Sequence, residues 1–322
     1  LSDSLNNVVE IQSLTKSFQK GKSWFRKEEI RILKEINLSI DENEFVLVLG
    51  KNGSGKSTLL KCISGILYPN IGKIKVLSQN PFQNRVLLSS KMGVLFGQKS
   101  LLFTDLLAKD YIQLLRKLYG LSEKEFDEAI AFVDHHLPCL DLMEKRVRGM
   151  SYGEKMKLEI LSVVLHYPEI LILDEPFVGL DQKSQRDLLD FILEYKKNYN
   201  ATILLTTHQY LEVLQAADRA VVLEQGRIKY NGKISEVMLR YTNKKMVHVE
   251  WNKEVPEVII PDSPWINVAS QTNTHIDLEI DSKEINVSQL IQNLLTYGEI
   301  RDFEVRNISM DKVVERLYEE TS

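Results

Sequence analysis

Residues Gly50 to Thr58 read GKNGSGKST. Ahead of them EFVLVL, residues 44–49, is an apolar run that predicts a buried strand, and behind them LLKCI, residues 59–63, predicts a helix. A strand, a glycine-rich turn and a helix in that order build a phosphate site. Backbone N–H groups of Gly50, Lys51, Asn52, Gly53, Ser54, Gly55 and the first helical turn have no partners of their own, and the helix end carries about half a positive charge. Glycines at 53 and 55 allow a tight turn and close approach of phosphates. Lys56 is expected to reach the β- and γ-phosphates, Ser57 to take a place on Mg²⁺, and Thr58 to complete the loop. A chain of this length and average composition matches the pattern by chance about once in a hundred. A nucleoside triphosphate is therefore the expected ligand.

The 322 residues, 43% hydrophobic, are enough for one large α/β domain and a small one. A net charge of −4 argues against nucleic acid as the main partner, because phosphate backbones require a basic face. No apolar run reaches the roughly 20 residues that span a bilayer. The opening LSDSLNNVVE has neither the basic region nor the apolar core of a signal peptide. Two cysteines, Cys62 and Cys139, have no metal or redox spacing and suggest a reducing compartment. A membrane role is expected only through a partner.

Residues 8–14 and 30–40 alternate as two antiparallel strands, separated by a polar, basic loop over 19–29. Short strands are expected at 74–77 and 92–96. Between 104 and 165 the spacing turns helical, with a capping-box pattern at Ser122–Glu125. Strands at 170–173, 202–206 and 220–223 then alternate with helices at 182–198 and 209–217, the pattern of a mostly parallel sheet covered on both sides. Beyond residue 240, alternation at 247–251, 275–280 and 303–305 and amphipathic helices at 287–295 and 313–317 predict a separate α/β domain.

The run Ile170–Pro176, ILILDEP, ends a strand in two acids at the carboxyl edge of the sheet, where α/β folds bind ligands. Asp174 is expected to hold Mg²⁺, and Glu175 to orient or deprotonate the attacking water.

With these motifs in place, residues 8–235 resemble the nucleotide-binding subunit of an ABC transporter. The resemblance implies an ABC cassette of the P-loop NTPase fold over 1–240: a mostly parallel core sheet, an antiparallel β subdomain and an inserted helical subdomain over about 99–165. A small accessory α/β domain follows at 241–322. It implies Gln98 in GVLFGQKSLLF as the Q-loop glutamine beside Mg²⁺ or the water, facing the membrane partner. It implies Asp181 in GLD as the D-loop acid across a dimer interface, and His208 in LLTTHQY as the switch histidine on the γ-phosphate. Phe18 resembles the aromatic residue that stacks on adenine, a role for which Trp24 and Phe25 compete.

The chain departs from the family at its signature. LSGGQ is replaced by Met150-Ser-Tyr-Gly-Glu154, which keeps Ser151 and Gly153 at a helix start but substitutes Tyr152 and Glu154. One reading is a tolerated branch variant; the other is a weakened site in an asymmetric dimer. The resemblance further implies ATP sandwiched between the P-loop of one cassette and Ser151, Gly153 and Glu154 of a second. It implies ATP hydrolysis, a transmembrane permease partner and a place on the cytoplasmic face of the membrane. The FGQKSLLF stretch, the MSYGEKM signature and the C-terminal domain resemble the ABC-2 exporter branch. The alternative expectation is a soluble ABC ATPase acting on cytosolic machinery.

Overall fold

The computed structural model describes residues 7–23, 26–97, 102–207, 211–236, 243–261 and 263–308. The chain divides into two compact units, through Lys233 and from Ile234.

In the first unit, β1 (Asn7–Ser23) and β2 (Arg26–Asp41) pair antiparallel, and β4 (Ile71–Val76) adds to the far edge of β1. Of the loop expected at 19–29, residues 19–23 and 26–29 are instead strand, since Gln19 pairs with Glu29 and Ser23 with Arg26. The sequence there, QKGKS and RKEE, is polar and offers no apolar alternation.

The main sheet has the order β5-β6-β7-β3-β8-β9. Its parallel strands are β3 (Phe45–Leu49), β5 (Met92–Phe96), β6 (Ile170–Asp174), β7 (Thr202–Thr206) and β8 (Arg219–Glu224), with β9 (Arg227–Lys233) antiparallel at the edge. Strands β3, β6 and β7 are buried at every position, as a parallel sheet covered on both faces requires. Val46, Val48, Ile172, Leu204 and Val221 share one core with the apolar face of α1 (Lys56–Ile63). A short α2 spans Arg85–Ser89.

The inserted helices are α3 (Ala108–Tyr119), α4 (Glu123–His136) and α5 (Tyr152–Val164). The Ser122–Glu125 capping box opens α4 as expected. Two further helices, α6 (Gln182–Tyr199) and α7 (Leu211–Ala216), flank β7 in sequence.

The second unit is a four-stranded antiparallel sheet ordered β11-β12-β10-β13, with strands at Lys244–Trp251 (β10), Ile266–Gln271 (β11), His275–Asp281 (β12) and Ile300–Asn307 (β13). Helix α8 (Val287–Leu295) buries Leu290 and Leu294 against Val247, Val249, Ile276 and Leu278. Strand β11 was not expected from sequence, because its central side chains are exposed and leave no apolar alternation. The helix expected around 313–317 lies outside the described residues.

Candidate functional site

The loop between β3 and α1 closes on itself through Ser54 N–H, which donates to Lys51 O at 3.1 Å. Gly53 and Gly55 have φ of +82° and +111°, a region that favours glycine. Their reasons differ. A Cβ at Gly53 would meet nothing within 4 Å, whereas one at Gly55 would lie 2.8 Å from Leu33 Cδ2. The second glycine is thus required by packing on β2 as well as by the turn.

Gly226, in the β8–β9 turn, clamps the loop from behind. Its N–H donates to Ser54 O at 3.1 Å and its carbonyl accepts Lys34 N–H at 2.7 Å. With φ of +81°, and with Ile32 O only 2.2 Å from where a Cβ would sit, no side chain fits. Nothing in the local sequence ties this turn to the loop, so sequence reading misses it.

The loop faces a cavity of about 580 Å³ lined by Phe18, Asn52 through Thr58, Glu175 and Ile32. Phe18 is half exposed there, with Lys16 Nζ 5.0 Å from its ring centre. Trp24 and Phe25, its rivals for the aromatic role, lie outside the described residues. Lys56 is buried and donates to Gly50 O at 2.7 Å. Burial pushes its ammonium pKa down, while the carboxylates of Glu175 and Asp174 pull it back up. Ser54 Oγ is buried without a hydrogen-bond partner. The donor-rich loop, a buried cation and this unsatisfied hydroxyl suit a polyphosphate.

Asp174 ends β6, almost fully buried, and accepts Thr206 Oγ1–H at 2.6 Å. Glu175 follows at φ +56°, with its N–H donating to Thr206 O at 3.1 Å and to Thr206 Oγ1 at 3.0 Å. Asp174 O accepts Gly97 N–H at 3.0 Å, which ties β6 to the segment leading to Gln98. Gln98 and His208 themselves lie outside the described residues.

A family model described as "ABC transporter" matches residues 33–178, and one described as an AAA domain, putative AbiEii toxin, type IV TA system, matches 145–214. The ABC transporter ATP-binding protein NatA of Bacillus subtilis is 31% identical over 212 residues, 66% of this chain and 86% of that protein. The chain belongs to the ABC transporter family. A methionine import ATP-binding protein, MetN of Protochlamydia amoebophila, is 29% identical over 89% of this chain and 84% of its own length. A solved ATP-binding subunit of an ABC transporter superposes with a TM-score of 0.63 at 26% identity, covering 73% of this chain and 93% of that one. This ABC subunit is an ATP-binding cassette and an ATPase coupled to transport.

The signature of the ABC cassette does not line the P-loop cavity. Ser151 is exposed at the N-cap of α5, in a capping box where its hydroxyl accepts Glu154 N–H and its N–H donates to the Glu154 carboxylate. Lys145 Nζ lies 2.6 Å from that carboxylate. This contact, with the two from Ser151, holds the carboxyl down to about 2. Glu154 therefore turns its charge onto its own helix and a lysine. Tyr152 stays exposed, but its ring lies against Gly179 of the same chain, where a Cβ would stand 3.0 Å from Cε1. Asp181 caps α6 through Ser184 N–H at 3.0 Å and is exposed.

Proposed function

We propose that two such cassettes, each over residues 1–240 with an accessory unit at 241–322, close on ATP and Mg²⁺ and drive a transmembrane permease from the cytoplasmic face of the membrane. The observation carrying this reading is a one-sided site. The P-loop cavity is open and walled by Phe18, Lys56 and Glu175, while the Ser151 helix start faces solvent elsewhere on the same chain. A second copy offering Ser151, Gly153 and Glu154 completes the site, and Asp181 lies at that junction.

Lys56 and the loop amides bind the β- and γ-phosphates, with Phe18 against the base. Ser57, Asp174 and Gln98 hold the metal, which when bound neutralises charge on the phosphate oxygens. Glu175 takes a proton from the attacking water, and His208 with the opposing Ser151 stabilises the γ-phosphate. Tighter nucleotide binding by the closed pair than by the open one supplies the drive for movement.

A cavity of about 340 Å³ between α2, β5 and the inserted helices, lined by Arg85, Met92, Tyr111, Tyr119 and His166, supports docking of the permease on this face. Export rests on the FGQKSLLF and MSYGEKM stretches and the accessory unit. Co-purification with a multi-span membrane protein supports the transporter reading; a pool free of any such partner contradicts it. Glu175→Gln should bind ATP, hydrolyse it at least about 100-fold more slowly and accumulate a nucleotide-bound dimer. Wild-type turnover in that variant removes Glu175 from its role.

A further inference from the structure

We propose that Thr206 is a positioning residue for hydrolysis, one hydroxyl fixing Asp174 and Glu175 together. The proposal rests on the roles given to those two carboxylates above. Thr206 ends β7 directly beside Asp174 in parallel register, and its side chain is fully buried. A carboxylate only accepts, so the single hydroxyl proton must go to Asp174 Oδ1 at 2.6 Å. A lone pair of Oγ1 then takes the Glu175 N–H at 3.0 Å. The direction of both bonds follows, and no second arrangement of the three groups satisfies them.

The strand does not need this hydroxyl. Valine has the same shape and suits a buried strand equally well, whereas burying a hydroxyl is costly unless it is bonded. Nor does the Glu175 amide depend on it, because Thr206 O already accepts that N–H at 3.1 Å. What the hydroxyl adds is orientation. It commits one oxygen of Asp174, and it supplies a second acceptor at a residue whose φ of +56° is unfavourable and persists only where surroundings over-determine it. A backbone free to relax there would swing the Glu175 carboxylate away from the Lys56 cavity it lines.

The test compares full-length Thr206→Val and Thr206→Ser with wild type, measuring turnover, KM for ATP, fluorescent ATP-analogue affinity and thermal melting. Thr206→Val should lower kcat about 10- to 100-fold with analogue affinity within about threefold, and Thr206→Ser should recover most of the loss. If valine prevents folding, Thr206→Ala replaces it with the same expected split. Wild-type kcat in the hydroxyl-free variant overturns the proposal. So does an equal loss in serine and valine, or a parallel loss of affinity and kcat. Glu175→Gln, run alongside, separates the two levels. Wild-type turnover there removes the carboxylate reading itself, whereas a slow Glu175→Gln beside a normal Thr206→Val removes only Thr206.

Discussion

The Glu154 carboxylate accepts the backbone N–H of Ser151 at 2.8 Å, and the Ser151 hydroxyl accepts Glu154 N–H at 3.3 Å in return. An acid in place of the family's glutamine thus serves the helix start. Glutamine also closes a capping box, so Glu154→Gln should turn over ATP within about threefold of wild type. A tenfold gain would mean that the charge does reach the phosphate.

The same contact has a pH signature. The Glu154 carboxyl stands at about 2 when folded, below the ordinary glutamate value of about 4.3. A depressed folded value stabilises the protein above the unfolded value, and that contribution fades as pH falls from about 4.3 towards 2. The melting-temperature advantage of wild type over Glu154→Gln should therefore be full at pH 7 and shrink below pH 4. A constant difference across that range would contradict the pairing with Lys145 and Ser151.

Gly226 has no room for a methyl group, because Ile32 O would lie 2.2 Å away, and it bridges Ser54 to Lys34. Gly226→Ala should cost about 1–3 kcal/mol, a drop in melting temperature of about 2–12 °C. It should also weaken nucleotide binding, since the loop loses its rear clamp. Calorimetry and a nucleotide titration check both. An unchanged affinity in a destabilised variant would confine Gly226 to folding.

Tyr152 packs on Gly179, whose φ is +79°. Truncation by Tyr152→Ala should loosen the Gly179–Asp181 turn, raising its amide hydrogen exchange while the P-loop is unaffected. Equal exchange in the two proteins would show that the ring only decorates the surface.

Much of this was legible beforehand because strong local signals carried it. GKNGSGKST follows the buried strand β3 and ILILDEP begins with the buried strand β6, so both motifs fall where the sheet presents its carboxyl edge. The Ser122 cap, α6 and α8 followed from side-chain spacing and capping chemistry. The far end of the β1–β2 hairpin and β11 did not, since the first is polar in sequence and the second has an exposed centre, and neither carries an apolar period. Thr206 and Gly226 were missed for another reason. Their roles exist only where distant segments meet, Thr206 with Asp174 across 32 positions and Gly226 with Ser54 across the sheet. The contacts of Glu154 with Lys145 and of Tyr152 with Gly179 were equally invisible, because a substitution names a side chain and not the direction it takes.

Lys56 is the buried cation of the loop, and its ammonium donates to Gly50 O at 2.7 Å, a place that a phosphate takes in the proposed nucleotide complex. Titration of purified Lys56→Ala with a fluorescent ATP analogue should show affinity weakened about 10- to 100-fold, with turnover lost alongside it. Wild-type affinity and turnover in that variant would contradict nucleotide binding at this loop and everything built on it.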